Sequence, residues 1–223
     1  VDFMDLNGKW KLYYAPQGEN KLSSVFDLEK SGIPSVDATV PGNVELDLSA
    51  AGILPEDLFK GMNILEAEKY ENYEWWYEKT FSAPAAPDNE HKVILHFGAV
   101  DCIADYYLNG EKIGESDNMF ISQDFDVTDK VKYGEENTLH VHIASAVLKG
   151  ASEDIEPNMA LQSWHATTVS LNVRKAPHSY GWDIMPRAVS AGIWRPVELQ
   201  YKKKYDFRYL YFKIRNMDGQ DGI

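Results

Sequence analysis

Short runs in which every second residue is apolar recur along almost the whole chain, and they constrain the fold more than any other feature. Strand side chains point to opposite faces in turn, so such a run buries one face and presents the other to water. His91–Val100 sets Val93, Leu95 and Phe97 on one face, and Asn137–Ser145 sets Leu139, Val141 and Ile143 against His140 and His142. Lys9–Ala15, Glu74–Ser82, Thr168–Val173 and Ile193–Tyr201 read the same way. Ala104–Leu108 and Glu111–Gly114 flank Asn109-Gly110, a dipeptide suited to the two-residue hairpin turn whose central residues both need positive φ. Helical periodicity is confined to Val44–Ala51, with Pro41-Gly42-Asn43 as a start and Gly52 as a stop. The long crossovers that parallel strands require are missing. The pattern predicts an all-β antiparallel jelly-roll β-sandwich. Lys202–Tyr205 reads as a linker, and Arg208–Ile214 as a fresh strand with Leu210, Phe212 and Ile214 on one face. The expected organisation is a sandwich over 1–203, then a linker and the beginning of another domain over 204–223.

Composition excludes several classes. At 44% hydrophobic and 13% aromatic, the 223 residues can bury a core and are not intrinsically disordered. No apolar run reaches the roughly 18 residues of a membrane-spanning helix. Acidic residues outnumber basic ones by 35 to 22, a net charge of −13. That balance repels phosphate backbones and anionic membrane surfaces but is indifferent to a neutral ligand such as a carbohydrate. The lone Cys102 forms no internal disulfide and reads as a small buried apolar residue at a strand entry. No leader pattern opens the chain, and Val1 reads as a trimmed start. No Asn-x-Ser/Thr acceptor occurs. The compartment stays open, with a bacterial periplasmic or extracellular location favoured.

Seven segments in order resemble the N-terminal domain of glycoside hydrolase family 2, in its β-mannosidase-like branch. They are Leu6-Asn7-Gly8-Lys9-Trp10; Val40-Pro41-Gly42-Asn43-Val44 through Pro55; Gly61-Met62-Asn63; Trp75–Phe81; Asp101–Gly110; Asn118-Met119-Phe120; and Gly181-Trp182-Asp183, Pro186-Arg187 and Gly192–Val197. The resemblance implies a galactose-binding-like sandwich followed by an immunoglobulin-like domain, whose first strand would lie at this C-terminus. It also implies a catalytic barrel further on. An ordinary (β/α)8 barrel needs roughly 250 residues, so this chain cannot hold both a sandwich and a barrel. In one place the chain departs from the family. Where relatives carry Trp-Asp-Trp-Gly-Pro it reads Trp182-Asp183-Ile184-Met185-Pro186, which leaves the particular sugar open.

Retaining glycosidases need two carboxyl groups about 5–5.5 Å apart. In the resembled family both come from the barrel, the acid/base Glu following an Asn. The Asn89-Glu90 pair here falls in a Pro-rich turn and reads as a chance match. No catalytic residue is therefore expected in this chain, which should be inactive alone. Asp183 is the leading substrate-binding candidate. The family implies that the matching Asp reaches the terminal-sugar pocket, and a carboxylate can accept from two adjacent hydroxyls. Trp182 could stack on a sugar face, and Asn63 and Asn118 are further candidates; each of the four could instead serve a turn or an interface. Arg195 is expected to pair with a carboxylate such as Asp101. Trp75, Trp76, Tyr77 and Phe81 are expected to fill the core. The six histidines, His140 and His142 among them, read as solvated, and the acidic Glu153, Asp154 and Glu156 as a solvated loop. No cofactor or metal is expected. The partners implied are the terminal sugar of a β-glycoside and the other domains of the same enzyme. A free-standing carbohydrate-binding module and a purely structural domain remain the alternatives.

Overall fold

The computed structural model describes residues 2–19, 22–153, 168–205, 209–213, 215–217 and 220–222. Strands β1 (Asp2–Asp5), β2 (Gly8–Pro16), β3 (Ser35–Val40), β4 (Tyr73–Ser82), β5 (His91–Phe97), β6 (Ile103–Leu108), β7 (Glu111–Ser116), β8 (Gln123–Asp126), β9 (Glu136–Ala144) and β10 (Val197–Lys203) build two antiparallel sheets. One is six-stranded, in the order β3-β2-β4-β9-β6-β7, and the other four-stranded, β1-β10-β5-β8. The alternation in the sequence is the alternation in space. Leu12, Tyr77, Tyr106, Leu139, Val141 and Ile143 from the wide sheet meet Val93, Leu95, Phe97, Val197 and Leu199 from the narrow one, all essentially fully buried. Fully burying one such side chain stabilises by roughly 1.5–3 kcal/mol. This is the expected all-β sandwich.

The β6–β7 hairpin turns on Asn109 (φ 53°) and Gly110 (φ 85°), as the dipeptide predicts. A Cβ on Gly110 would also stand 2.3 Å from the Phe26 ring. Helix α1 (Val44–Ala50) starts at Asn43, whose side chain accepts from Leu46 N at 3.0 Å, and buries Val44 and Leu48. Cys102 is buried next to the start of β6.

Four expectations need correction. Thr168–Asn172 is a 3-10 turn, not a strand. It packs on α2 (Ala146–Ala151), with Asn172 donating to Gly150 O at 2.9 Å, because β-branched residues form strands only where a sheet edge receives them. The strand expected from Ile193 begins at Val197. Pro196 has no N–H to donate, and the preceding residues are held elsewhere by Gly42 N to Ile193 O and Val44 N to Ala191 O. Tyr209–Lys213 forms no strand and is exposed, while a small hairpin, β11 (Arg215–Met217) and β12 (Gln220–Gly222), follows. Arg208, Ile214, His165, Asp154 and Glu156 lie outside the described residues.

The fourth correction concerns the outer face of the wide sheet. Residues 22–33 cover part of it, and Leu28 and Ile33 pack with Tyr13 and Ala15, against Leu22 and Trp76. His140 is fully buried there, with Phe26 edge-on at 5.8 Å, and His142 is largely buried, stacked on Trp76 at 4.1 Å. Neither is the solvated residue expected. Trp75, Tyr77 and Phe81 face the main core, whereas Trp76 belongs to this second layer.

Candidate functional site

Strand register places Pro16, Tyr73, Ala144, Ile103 and Ser116 at one end of the wide sheet. The loops leaving this end are laced together. Gln17 N donates to Asn72 O at 2.9 Å, Gln17 Oε1 accepts from Ser145 N, and Ser145 Oγ donates to Glu71 O. Met119 N donates to Arg174 O at 3.1 Å, joining the β7–β8 loop to the long excursion between α2 and β10.

That excursion carries Trp182 and Asp183 on a hairpin-like loop closed by successive rungs. At the neck Lys175 Nζ donates to Ser190 O at 2.7 Å. Further out Ala188 N donates to Ser179 O at 2.9 Å, and Arg187 Nη1 to Tyr180 O at 3.3 Å. At the tip Trp182 and Met185 exchange backbone bonds of 2.9 and 3.1 Å, which leaves Asp183-Ile184 as the turn. Asp183 and Trp182 are exposed, as is Ile184, at 79%.

Charge pairs hold both flanks. Lys175 is buried and donates to Asp101, whose carboxyl burial pushes up in pKa despite the opposing ammonium. Ser190 Oγ donates to Glu45, whose carboxyl burial likewise raises. Arg187 donates through Nε and Nη2 to the two oxygens of Glu71, both at 2.7 Å. Glu71 ends the 3-10 helix Asn63–Tyr70, so this fork joins the Asp183 loop to the segment that begins with Asn63.

The fold thus gathers the elements that carry all four candidates. Asp183 and Trp182 share the loop tip. Asn63 is part-buried and donates through Nδ2 to Asp57 O at 2.8 Å. Asn118, on the β7–β8 loop, accepts from Phe120 N at 3.0 Å and bridges to Arg174. Both amides shape their own loops, whereas Asp183 offers an exposed carboxylate.

Asp101 does not pair with Arg195, as the sequence suggested; its partner is Lys175, and Arg195 is exposed, its guanidinium 4.5 Å from the Trp194 ring centroid. Sequence reasoning missed Lys175, Glu71 and Glu45. Each lies far along the chain from its partner, and no local signal marks it. Asn89-Glu90 is an exposed turn. Among the described residues no group of three or more His, Cys, Asp or Glu is placed to hold a metal ion.

A galactose-binding-like β-sandwich with its candidate residues on end loops is the class that this architecture defines. The profile of the family described as "Glycosyl hydrolase 2 galactose-binding domain-like" matches residues 15–195, and the chain belongs to that family, in its β-mannosidase-like branch. It is 38% identical over 161 residues to Beta-mannosidase B of Thermothelomyces thermophilus, covering 72% of this chain and 18% of that protein. It is 34% identical over 188 residues to Beta-mannosidase B of Emericella nidulans, covering 82% of this chain and 22% of the other. The crystal structure of Beta-D-Mannosidase from Dictyoglomus thermophilum superposes with a TM-score of 0.78 at 30% identity, covering 99% of this chain and 25% of that one. The chain therefore spans about a fifth to a quarter of the length of these relatives.

Proposed function

We propose that this chain is the non-catalytic N-terminal domain of a retaining, β-mannosidase-like glycoside hydrolase, and that its Asp183 loop reaches the pocket for the terminal sugar. The observation that carries this is the loop itself: a turn held at its tip and strapped at its base, presenting a carboxylate to solvent beside an exposed indole. A carboxylate accepts hydrogen bonds from two neighbouring hydroxyls, and the indole can cover the ring's apolar face. The two carboxyl groups that cleave the bond come from a barrel elsewhere in the enzyme. Asp183 contributes by positioning, through contacts that tighten as the ring distorts toward the transition state.

A second role is bracing. Phe59, Met62, Phe120, Trp182 and Ile184 are exposed on the laced loops, and Tyr209–Phe212 are exposed beyond β10. These apolar side chains suit contact with the other domains of the same polypeptide better than contact with water. Their placement supports the enzyme-domain reading over a free-standing binding module.

The test is Asp183→Ala in the full-length enzyme, assayed on a chromogenic β-mannoside. The expected loss in kcat/KM is about tenfold or more, roughly 1.4 kcal/mol of transition-state stabilisation. Activity close to that of the unaltered enzyme would leave the domain a structural brace.

A further inference from the structure

We infer that Arg187 and Glu71 are positioning residues, whose fork sets where the Asp183 turn stands relative to the segment beginning at Asn63. The inference rests on the sugar-facing reading of that loop.

A guanidinium meeting a carboxylate through two parallel N–H···O bonds fixes orientation as well as distance, which a lysine's single ammonium does not. Here both bonds measure 2.7 Å, and the side chains are only 28% and 13% exposed, so water competes little for them. The same guanidinium donates to Tyr180 O and packs 5.5 Å from the centroid of the Tyr180 ring, whose own side chain is buried. Arg187 thus fastens the two arms of its loop together, Tyr180 on one and itself on the other. Glu71 is in turn anchored, since its carbonyl accepts from Ser145 Oγ just past the end of β9, and the neighbouring Asn72 carbonyl accepts from Gln17 N. The fork therefore ties the loop to the central strands of the wide sheet through two residues 116 positions apart. Without it, the loop loses its tie between neck and tip, and the two tip bonds open more often. Neither residue is expected to touch the sugar.

The experiment combines hydrogen exchange with kinetics in the full-length enzyme. Arg187→Lys keeps the charge and loses the fork; Glu71→Gln keeps the shape and loses the charge. In both, amide exchange in the 182–185 peptide should quicken by about tenfold, while the β4 and β9 peptides stay as they were. Each variant should also lower kcat/KM severalfold in an otherwise unaltered enzyme and have little further effect once Asp183 is already Ala. Unchanged exchange at 182–185, or losses that simply multiply with that of Asp183→Ala, overturns the inference. Faster exchange together with an Asp183→Ala enzyme of normal activity instead overturns the sugar-facing reading, and leaves the fork as a strap on a loop with another purpose.

Discussion

Lys175 shows how much of this site hangs on single buried charges. Its side chain is 1% exposed, and it satisfies Asp101 and the Ser190 carbonyl together. A buried pair is often no better than apolar residues of the same shape, but a buried charge robbed of its partner is expensive. Lys175→Met should therefore destabilise the protein by about 3–5 kcal/mol in urea unfolding. Lys175→Met with Asp101→Asn should recover much of that loss. If the double variant is instead destabilised by the sum of the two single losses, the charges do not act as a pair. Asp101 shows the limit of reading such sites from sequence. In the sequence Asp101 stands out only as a carboxylate with which Arg195 could pair. The true partner is 74 positions away, on a loop whose residue Gly192 also exchanges backbone bonds with Asp101.

At the scale of the elements, the central strands of the wide sheet carry a charged clamp on their outer face. His142 of β9 lies between Glu74 of β4, 3.1 Å from Nε2, and Asp105 of β6, 3.6 Å from Nδ1. Carboxylates only accept, and a neutral imidazole has one N–H, so only the charged ring presents a donor to each of the two carboxylates. Trp76 stacks on that ring, and Lys112 of β7 pairs with Asp105 from beyond. Burial works against the charge on His142, but the bonds to Asp105 and Glu74 outweigh it, and the pKa rises above the ordinary 6.5. Asp105 is correspondingly held below the usual carboxylate range, chiefly by His142. A base whose folded pKa is raised stabilises fully below its unfolded pKa, and loses that contribution as pH rises through the folded value. Unfolding free energy should thus decline above pH of about 6.5, and His142→Gln should flatten that decline. Parallel curves for the two proteins would rule the clamp out. Strands were the elements best read from sequence, because a period of two survives in any antiparallel sheet. The 3-10 segments Val25–Lys30 and Asn63–Tyr70 are not legible in the sequence, since two or three turns leave no periodic trace. The strand pattern of Thr168–Val173 misleads because its β-branched residues have a helix, not a strand, beside them.

Across the whole molecule, the sequence carried the sandwich and the motifs that place its loops, but not the lacing that joins them. The Asp183 loop was singled out only through its family likeness; composition and periodicity are silent about it. What the alternating pattern does dictate is a rigid two-sheet base, and a rigid base lets a few long-range contacts decide where an end loop stands. The same rigidity bears on chemical ageing. An asparagine followed by glycine is prone to lose ammonia, when the glycine nitrogen attacks the side-chain carbonyl to close a succinimide that water opens to aspartate or isoaspartate. In the folded hairpin the Asn109 amide is tied down, its nitrogen donating to Lys130 O and Asn137 Oδ1 and its oxygen accepting from Thr138 N. Peptide mass spectrometry should find residues 109–110 intact after long storage of the native protein and steadily converted in denaturant; equal rates would mean that the fold offers no shelter. Damage at this turn then records the time each molecule has spent unfolded.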